Sequence, residues 1–228
     1  MKFILTLFIV LFVVHVLRAQ TGVGTKSTIA CKNLKDSARY ALGFNIGESL
    51  AQRYADFDPD MIVAAIKDAY AKKSAAVDSK TGPNIVQNFM MQETKKRAAT
   101  NKAAGEKFLQ ANIKRHGVVI TASGLQYEVI KMGTGPKPLE GSQVKVNYSG
   151  KLINGKEFHN SNRHNGPVTM NVMEVIPGWT EALRLIPVGS KWKLFVPAEL
   201  AYADSDMGTD IPAGSTLIFE IELLEIVK

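Results

Sequence analysis

Apolar residues repeat with two different periods along this chain, and the change falls at Gly117. Before it they return every third or fourth position; after it they alternate. Leu34, Ala38, Leu42, Ile46 and Leu50 form one stripe on a helix expected to end near Tyr54. A second helix has a sharper start: Asp58 is a natural N-cap, Pro59 suits the first helical position, and Asp60 favours the positive helix end. Met61, Ile62, Ala65, Ile66, Ala69 and Tyr70 are expected on its buried face.

A third helix is expected from near Pro83 to Gly117, roughly 50 Å at about 1.5 Å per residue. Ile85, Val86, Phe89, Met90 and Met91 load one end, and Phe108, Leu109 and Ile113 the other. The stretch between holds no large apolar side chain. A helix that is polar all round bridges domains through solvent; a surface helix on one globule, or two helices broken at Gly105, are the alternatives. The three helices carry too little core to stand alone. Their apolar faces point to self-association, most simply a two-fold dimer.

Beyond Gly117, Leu125-Gln126-Tyr127-Glu128-Val129 and Val144-Lys145-Val146-Asn147-Tyr148 alternate as strands do, and Asn154-Gly155 is a strong hairpin turn. Gly133-Thr134-Gly135-Pro136 reads as a loop. Trp192, Leu194 and Val196 share one side of another strand, and Leu217, Phe219, Ile221 and Leu223 one side of the last. A helix-like segment from Gly178 to Ile186 interrupts the strands. The expected class is α+β: an all-helical N-terminal dimerisation module, a long connecting helix, and a C-terminal antiparallel twisted sheet wrapped on a short helix.

Composition adds a direction of travel. Lys2 precedes an apolar run of about 15 residues, short for a membrane span and right for a signal peptide, with a cut expected after Ala19. An uncleaved anchor is the alternative. The predicted division is 1–19 signal peptide, 20–32 flexible leader, 33–82 helical dimerisation domain, 83–117 connecting helix and 118–228 sheet domain. The chain is thus read as exported, to the periplasm, the outer membrane or the medium. Loss of Lys2 and Arg18 lowers the formal net charge from +7 to +5. That excess is diffuse, without a dense basic block or interleaved aromatics, which argues against nucleic acid as a partner. Cys31 is the only cysteine, so no intramolecular disulfide forms.

Val175-Ile176-Pro177-Gly178-Trp179, with Ala201-Tyr202 and Phe219, offers an aromatic pocket instead of reactive side chains. Chemistry there needs no nucleophile. Val144 to Gly150, Gly155-Lys156-Glu157-Phe158, Val175 to Trp179, Val196 to Tyr202, Ile211-Pro212 and Thr216 to Phe219 together resemble the FKBP-type peptidyl-prolyl cis-trans isomerases, in the same order from about Gly117 to Val227. Tyr40-Ala41-Leu42-Gly43, Asp58-Pro59, Asn101 to Glu106 and Ser123 to Tyr127 are similar to the dimeric macrophage infectivity potentiators and their periplasmic relatives.

The resemblance implies a V-shaped homodimer joined by its N-terminal helices, with an isomerase domain on each long arm. It implies proline-containing unfolded or extended polypeptides as substrates, macrolide inhibitors of the FKBP class as ligands, and no cofactor. By the same resemblance Trp179 forms the pocket floor, Tyr148, Phe158 and Phe219 its walls, and Val175 and Ile176 its side. The Ile176 N–H binds a substrate carbonyl, the Tyr202 hydroxyl meets the substrate backbone, and Ile211 covers the entrance. Trp192 is expected in the core.

Two departures are visible. His159 stands where the family usually has Asp, removing a fixed negative charge, and Met170 replaces a usual aromatic with a softer wall. These predict altered or reduced selectivity, with pH dependence where imidazole titrates. His159 and His164 lack a third metal ligand at suitable spacing, and Asp204, Asp206 and Asp210 fail the calcium-loop pattern at Gly208 and Ser215; both groups are read as solvated loop. A rival reading is a dimeric chaperone or peptide-binding module in which isomerisation is incidental; the substitution at His159 leans toward it.

Overall fold

A computed structural model describes residues 27, 29–54, 58–163 and 166–227. The expected signal peptide, most of the leader and His164 lie outside the described residues. The chain divides into two units, one ending at Phe44 and one beginning at Asn45. In the first, the opening turns of helix α1 (Leu34–Arg53) start where the Asn33 side chain accepts the Asp36 N–H at 2.9 Å. Cys31 is exposed there with a free thiol.

The second unit holds the rest of the molecule. Helix α2 (Pro59–Tyr70) begins as its sequence demands, with Asp58 accepting the Asp60 N–H at 2.9 Å and Pro59 opening the helix. The expected apolar stripes on α1 and α2 are present, but no side chain of either helix is buried: Leu42 is 64% exposed and Met61 68%. The faces read as buried are therefore open among the described residues. Among the described residues no helix is long and apolar enough to cross a membrane.

Helix α3 (Gly82–Asn112) is continuous. It stops five residues short of Gly117, and it does not break at Gly105. Its middle is not solvated all round either. Ala98, Gly105 and Asn112 are buried, and their seven-residue spacing puts them on one face. A Cβ at Gly105 would lie 2.1 Å from the Thr216 hydroxyl oxygen, so the glycine is a point of close approach. Small residues make this contact, and a search for large apolar side chains does not register them. At the end of the helix, Phe108 meets Phe195 with ring centroids 6.0 Å apart, and buried Asn112 donates to Gln126 at 2.8 Å.

Seven strands follow: β1 (Val118–Ile120), β2 (Gln126–Lys131), β3 (Gln143–Leu152), β4 (Glu157–Asn160), β5 (Val168–Asn171), β6 (Lys191–Val196) and β7 (Leu217–Val227), with α4 (Pro177–Leu185) between β5 and β6. All pairings are antiparallel, in the order β1-β2-β6-β7-β3-β4, with β5 also on β3. The last strand thus lies inside the sheet, between β6 and β3. The Asn154-Gly155 turn joins β3 to β4, and Gly155 takes φ 88°, a left-handed conformation that glycine adopts without strain.

Alternation does the rest. Leu217, Phe219, Ile221 and Leu223 of β7 and Trp192, Leu194 and Val196 of β6 turn inward onto Trp179, Ala182, Leu183 and Ile186. Burying a side chain such as Leu183 stabilises the fold by about 1.5–3 kcal/mol. Phe195 points to the other side and is buried too, because α3 covers that side of the sheet.

Candidate functional site

Where α4 meets the sheet, one cavity of about 580 Å³ opens. Tyr148 reaches it from β3, Phe158 and His159 from β4, Met170 from β5, and Phe219 from β7. Glu174, Val175 and Ile176 line it from the segment before α4, and Trp179 from that helix's first turn. Tyr202 and Ile211 complete it from the loop after the short 3-10 helix Ala198–Leu200. All nine side chains expected at the site line this one cavity, together with Met170 and Glu174. Glu174 went unnoticed in the sequence because a lone carboxylate beside an apolar motif carries no signal.

Local sequence fixes the floor. Ile176 is extended (φ −59°, ψ 148°) and Pro177 starts α4, so the chain turns sharply there; the Ile176 carbonyl accepts the Trp179 N–H at 2.9 Å. The Ile176 N–H itself has no acceptor among the described residues. Gly178 lets the helix sit close on β6, since a Cβ there would lie 2.6 Å from a Val196 methyl. Trp179 is 3% exposed. Its indole N–H is buried without a hydrogen bond among the described residues, so it is the ring that the site uses.

The rings meet edge to face. Trp179 lies 5.2 Å from Phe219 at 86° and 4.9 Å from Tyr148 at 84°, and Phe158 lies 5.7 Å from Phe219 at 84°. Such pairs direct the positive edge of one ring at the negative face of the next. Gly150 of β3 makes the arrangement possible: a Cβ there would stand 2.4 Å from the Phe158 ring and 3.0 Å from that of Phe219. His159 stacks on Tyr148, with centroids 4.5 Å apart and planes 15° from parallel. Burial, and next the proximity of Tyr202, push the Tyr148 hydroxyl above the ordinary tyrosine pKa, so it remains a neutral hydrogen-bonding group at working pH.

The aspartates read as solvated loop do lie exposed, and each also meets a cation. Asp204 lies 2.7 Å from Lys102 and Asp206 2.5 Å from Arg97, while Asp210 accepts from Lys156 at 3.0 Å. The partners sit about a hundred residues away on α3 or fifty away on the β3–β4 turn, distances at which sequence pattern carries nothing. Among the described residues no group of three or more His, Cys, Asp or Glu side chains is placed to hold a metal ion.

A cavity walled mainly by aromatic and aliphatic side chains thus lies between a short helix and an antiparallel sheet, and family comparison gives the chain its class. The family described as FKBP-type peptidyl-prolyl cis-trans isomerase matches residues 135–224, and the domain amino terminal to that isomerase matches residues 35–129. The chain belongs to the FKBP-type peptidyl-prolyl cis-trans isomerase family and is an enzyme of that type.

Known proteins match it over most of its length. It is 41% identical to the FKBP-type 22 kDa peptidyl-prolyl cis-trans isomerase of Escherichia coli (strain K12), over 85% of this chain and 96% of that one. It is 37% identical to the outer membrane protein MIP of Legionella longbeachae, over 85% and 86% respectively. The crystal structure of FkpA from Escherichia coli aligns with a TM-score of 0.62 at 37% identity, covering 86% of this chain and 98% of that one.

Proposed function

We propose that the cavity catalyses prolyl isomerisation by desolvating and twisting the Xaa-Pro amide. The carrying observation is the set of edge-to-face rings around Trp179, in a cavity without a nucleophile paired to a base. Rotation about the peptide bond meets a barrier of about 18–20 kcal/mol because it breaks amide resonance, and unaided it takes tens to hundreds of seconds. The twisted transition state has less conjugation and less charge separation than the planar amide. An apolar seat therefore favours it over the ground state without making any bond.

In this reading the proline ring rests on Trp179 between Tyr148, Phe158 and Phe219, beside Val175. The Ile176 N–H, which has no acceptor among the described residues, takes a substrate carbonyl; the Tyr202 hydroxyl meets the substrate backbone; Ile211 closes the entrance; and His159 replaces an anionic acceptor with a stacked imidazole. Clients are proline-containing unfolded or extended polypeptides outside the cytoplasm, and macrolides of the FKBP inhibitor class compete for the same seat. The name of the Legionella longbeachae relative supports such a location. Signal peptide 1–19, leader 20–32, dimerisation domain 33–82, connecting segment 83–117, helical as far as Asn112, and isomerase domain 118–228 are the corresponding parts, two chains joining through the open faces of α1 and α2.

A protease-free Xaa-Pro isomerisation assay tests the mechanism. Trp179→Leu is expected to lower kcat/KM by at least about tenfold, and unchanged turnover in a folded variant sinks it. The exposed apolar faces favour a second activity, holding unfolded chains. Aggregation suppression that persists in Trp179→Leu places that activity on the helices; its loss places it in the pocket.

A further inference from the structure

Asn101 to Glu106, one of the segments singled out in the sequence, has no part in the pocket itself. It belongs to a face of α3 that grips the loop bringing Tyr202 and Ile211 to the cavity. Lys102 Nζ lies 2.7 Å from Asp204 and 3.3 Å from Glu199, and Asn101 donates to the Ala213 carbonyl at 2.8 Å. One turn earlier, Arg97 meets Asp206 at 2.5 Å, the two side chains only 19% and 26% exposed. Its other terminal nitrogen donates to the carbonyl of Arg53, the last residue of α1. Gly105 and Ala98 admit Thr216 and Gly214 at backbone-contact distance, which holds the helix close enough for these side chains to reach.

The loop needs such anchors. Between Ala201 and Pro212 it has no strand or helix, only local backbone hydrogen bonds among the described residues (Ala203 N–H to the Ala198 carbonyl at 2.8 Å, Ser205 N–H to that of Tyr202 at 2.9 Å) and the isolated bridge of Met207 with Ile211, and Ala203 takes φ 50°, a left-handed conformation uncommon for a residue with a Cβ. Lys156 holds the far side through the Thr209 carbonyl and Asp210. The near side, where Tyr202 leaves the 3-10 helix, is held by the Ala203 N–H on the Ala198 carbonyl and the Gly214 N–H on the Ala203 carbonyl, each at 2.8 Å, and from outside the loop by the side chains of α3.

We infer that α3 is a positioning element of the isomerase site, with Arg97 and Lys102 keeping Tyr202 and Ile211 in their substrate-facing arrangement and Arg97 linking that loop to the end of α1. The inference rests on the reading of the cavity as a proline seat. A loosened loop reduces the fraction of molecules competent to bind, and apparent affinity falls in proportion to that fraction while the bound complex turns over as before.

In the full chain, the double variant Arg97→Met with Lys102→Met is expected to raise KM for a short Xaa-Pro peptide about fivefold, with kcat held within about twofold and the urea midpoint unchanged. Raising ionic strength should do the same to the parent protein and little to the variant, because partly exposed ion pairs are screened. Exchanging the charges, Arg97→Glu with Asp206→Arg, should return KM toward the parent value. An unchanged KM in the double variant, while Ile211→Ala and Tyr202→Phe raise it, overturns the inference and leaves the proline seat standing. Unchanged turnover in Ile211→Ala, Tyr202→Phe and Trp179→Leu alike overturns the seat. A raised KM accompanied by a lowered urea midpoint, and not restored by the charge exchange, reduces α3 to a structural support and also overturns the inference.

Discussion

Helices α1 and α2 and the seven-stranded sheet are written with the same alphabet of Leu, Ile, Val and aromatic residues, yet they use it in opposite ways. In the sheet, Leu194, Leu217 and Leu223 are fully buried; on the helices, Leu42, Ile46 and Ile66 remain about half exposed or more. Periodicity therefore establishes that a face exists without saying what covers it. The sheet closes over its own helix α4, whereas the first two helices present apolar area that only another surface removes from water, and a second copy of the chain is the partner we propose.

The strongest way to break that contrast is to delete matched side chains from each region. Leu183→Ala is expected to cost about 2–5 kcal/mol in urea unfolding followed by tryptophan fluorescence, since it leaves a cavity in closed packing. Leu42→Ala should leave that transition in place and instead shift sedimentation toward the monomer at low concentration. A comparable unfolding loss in both variants would erase the distinction.

Gly150→Ala probes the sheet region where packing and site coincide. Its added methyl collides with Phe158 and Phe219, so about 1–3 kcal/mol of stability should be lost together with kcat/KM. Activity that survives the full stability loss would show that the rings need not hold their edge-to-face order.

Much of this layout is legible in the residues alone, for reasons that differ by element. Asp58-Pro59 sets the start of α2 because a cap and a proline act locally, and Asn154-Gly155 sets the hairpin because its turn needs a positive φ. Nine of the residues that line the cavity could be named together through their ordered resemblance to the family, whereas Glu174 could not. The covering of α3 could not be read: Ala98 and Gly105 look like absences of hydrophobic signal, and their contacts with Gly214 and Thr216 are a matter of tertiary fit. Phe195 was hidden for the same reason, because strand alternation assigns it to solvent until α3 is placed over it. The roles of Asp204 and Asp206 depend on cations about a hundred positions earlier in the chain.

A smaller effect is expected at His159. His159→Asp removes the ring stacked on Tyr148 and supplies a fixed charge, and it should change the ranking of Xaa-Pro peptides by severalfold, at most about tenfold or 1.4 kcal/mol. If turnover of every peptide stays the same, the imidazole has no part in selectivity. By contrast, the same change on an exposed helix face should be silent.

The smallest effect is a titration. Tyr148 has its pKa raised, first by burial and then by Tyr202, so the folded state holds its proton longer than the unfolded chain. The associated stability is present below the ordinary tyrosine value of about 10 and is lost as pH rises through the raised one. Alkaline absorbance titration should therefore show a late-ionising tyrosine that vanishes in Tyr148→Phe and titrates earlier in Tyr202→Phe.

The placement of β7 between β3 and β6 has a consequence for how the molecule comes into being. Two long ladders, and the Phe219 wall of the cavity, wait for residues 217–227, so a chain emerging from a ribosome or a membrane channel carries an open sheet until that segment is released. The backbone hydrogen bonds of α1 to α3 are local and do not depend on that segment. If two copies join as we propose, they would be able to meet before the Phe219 wall of the cavity is in place, and release of the last strand would complete the site.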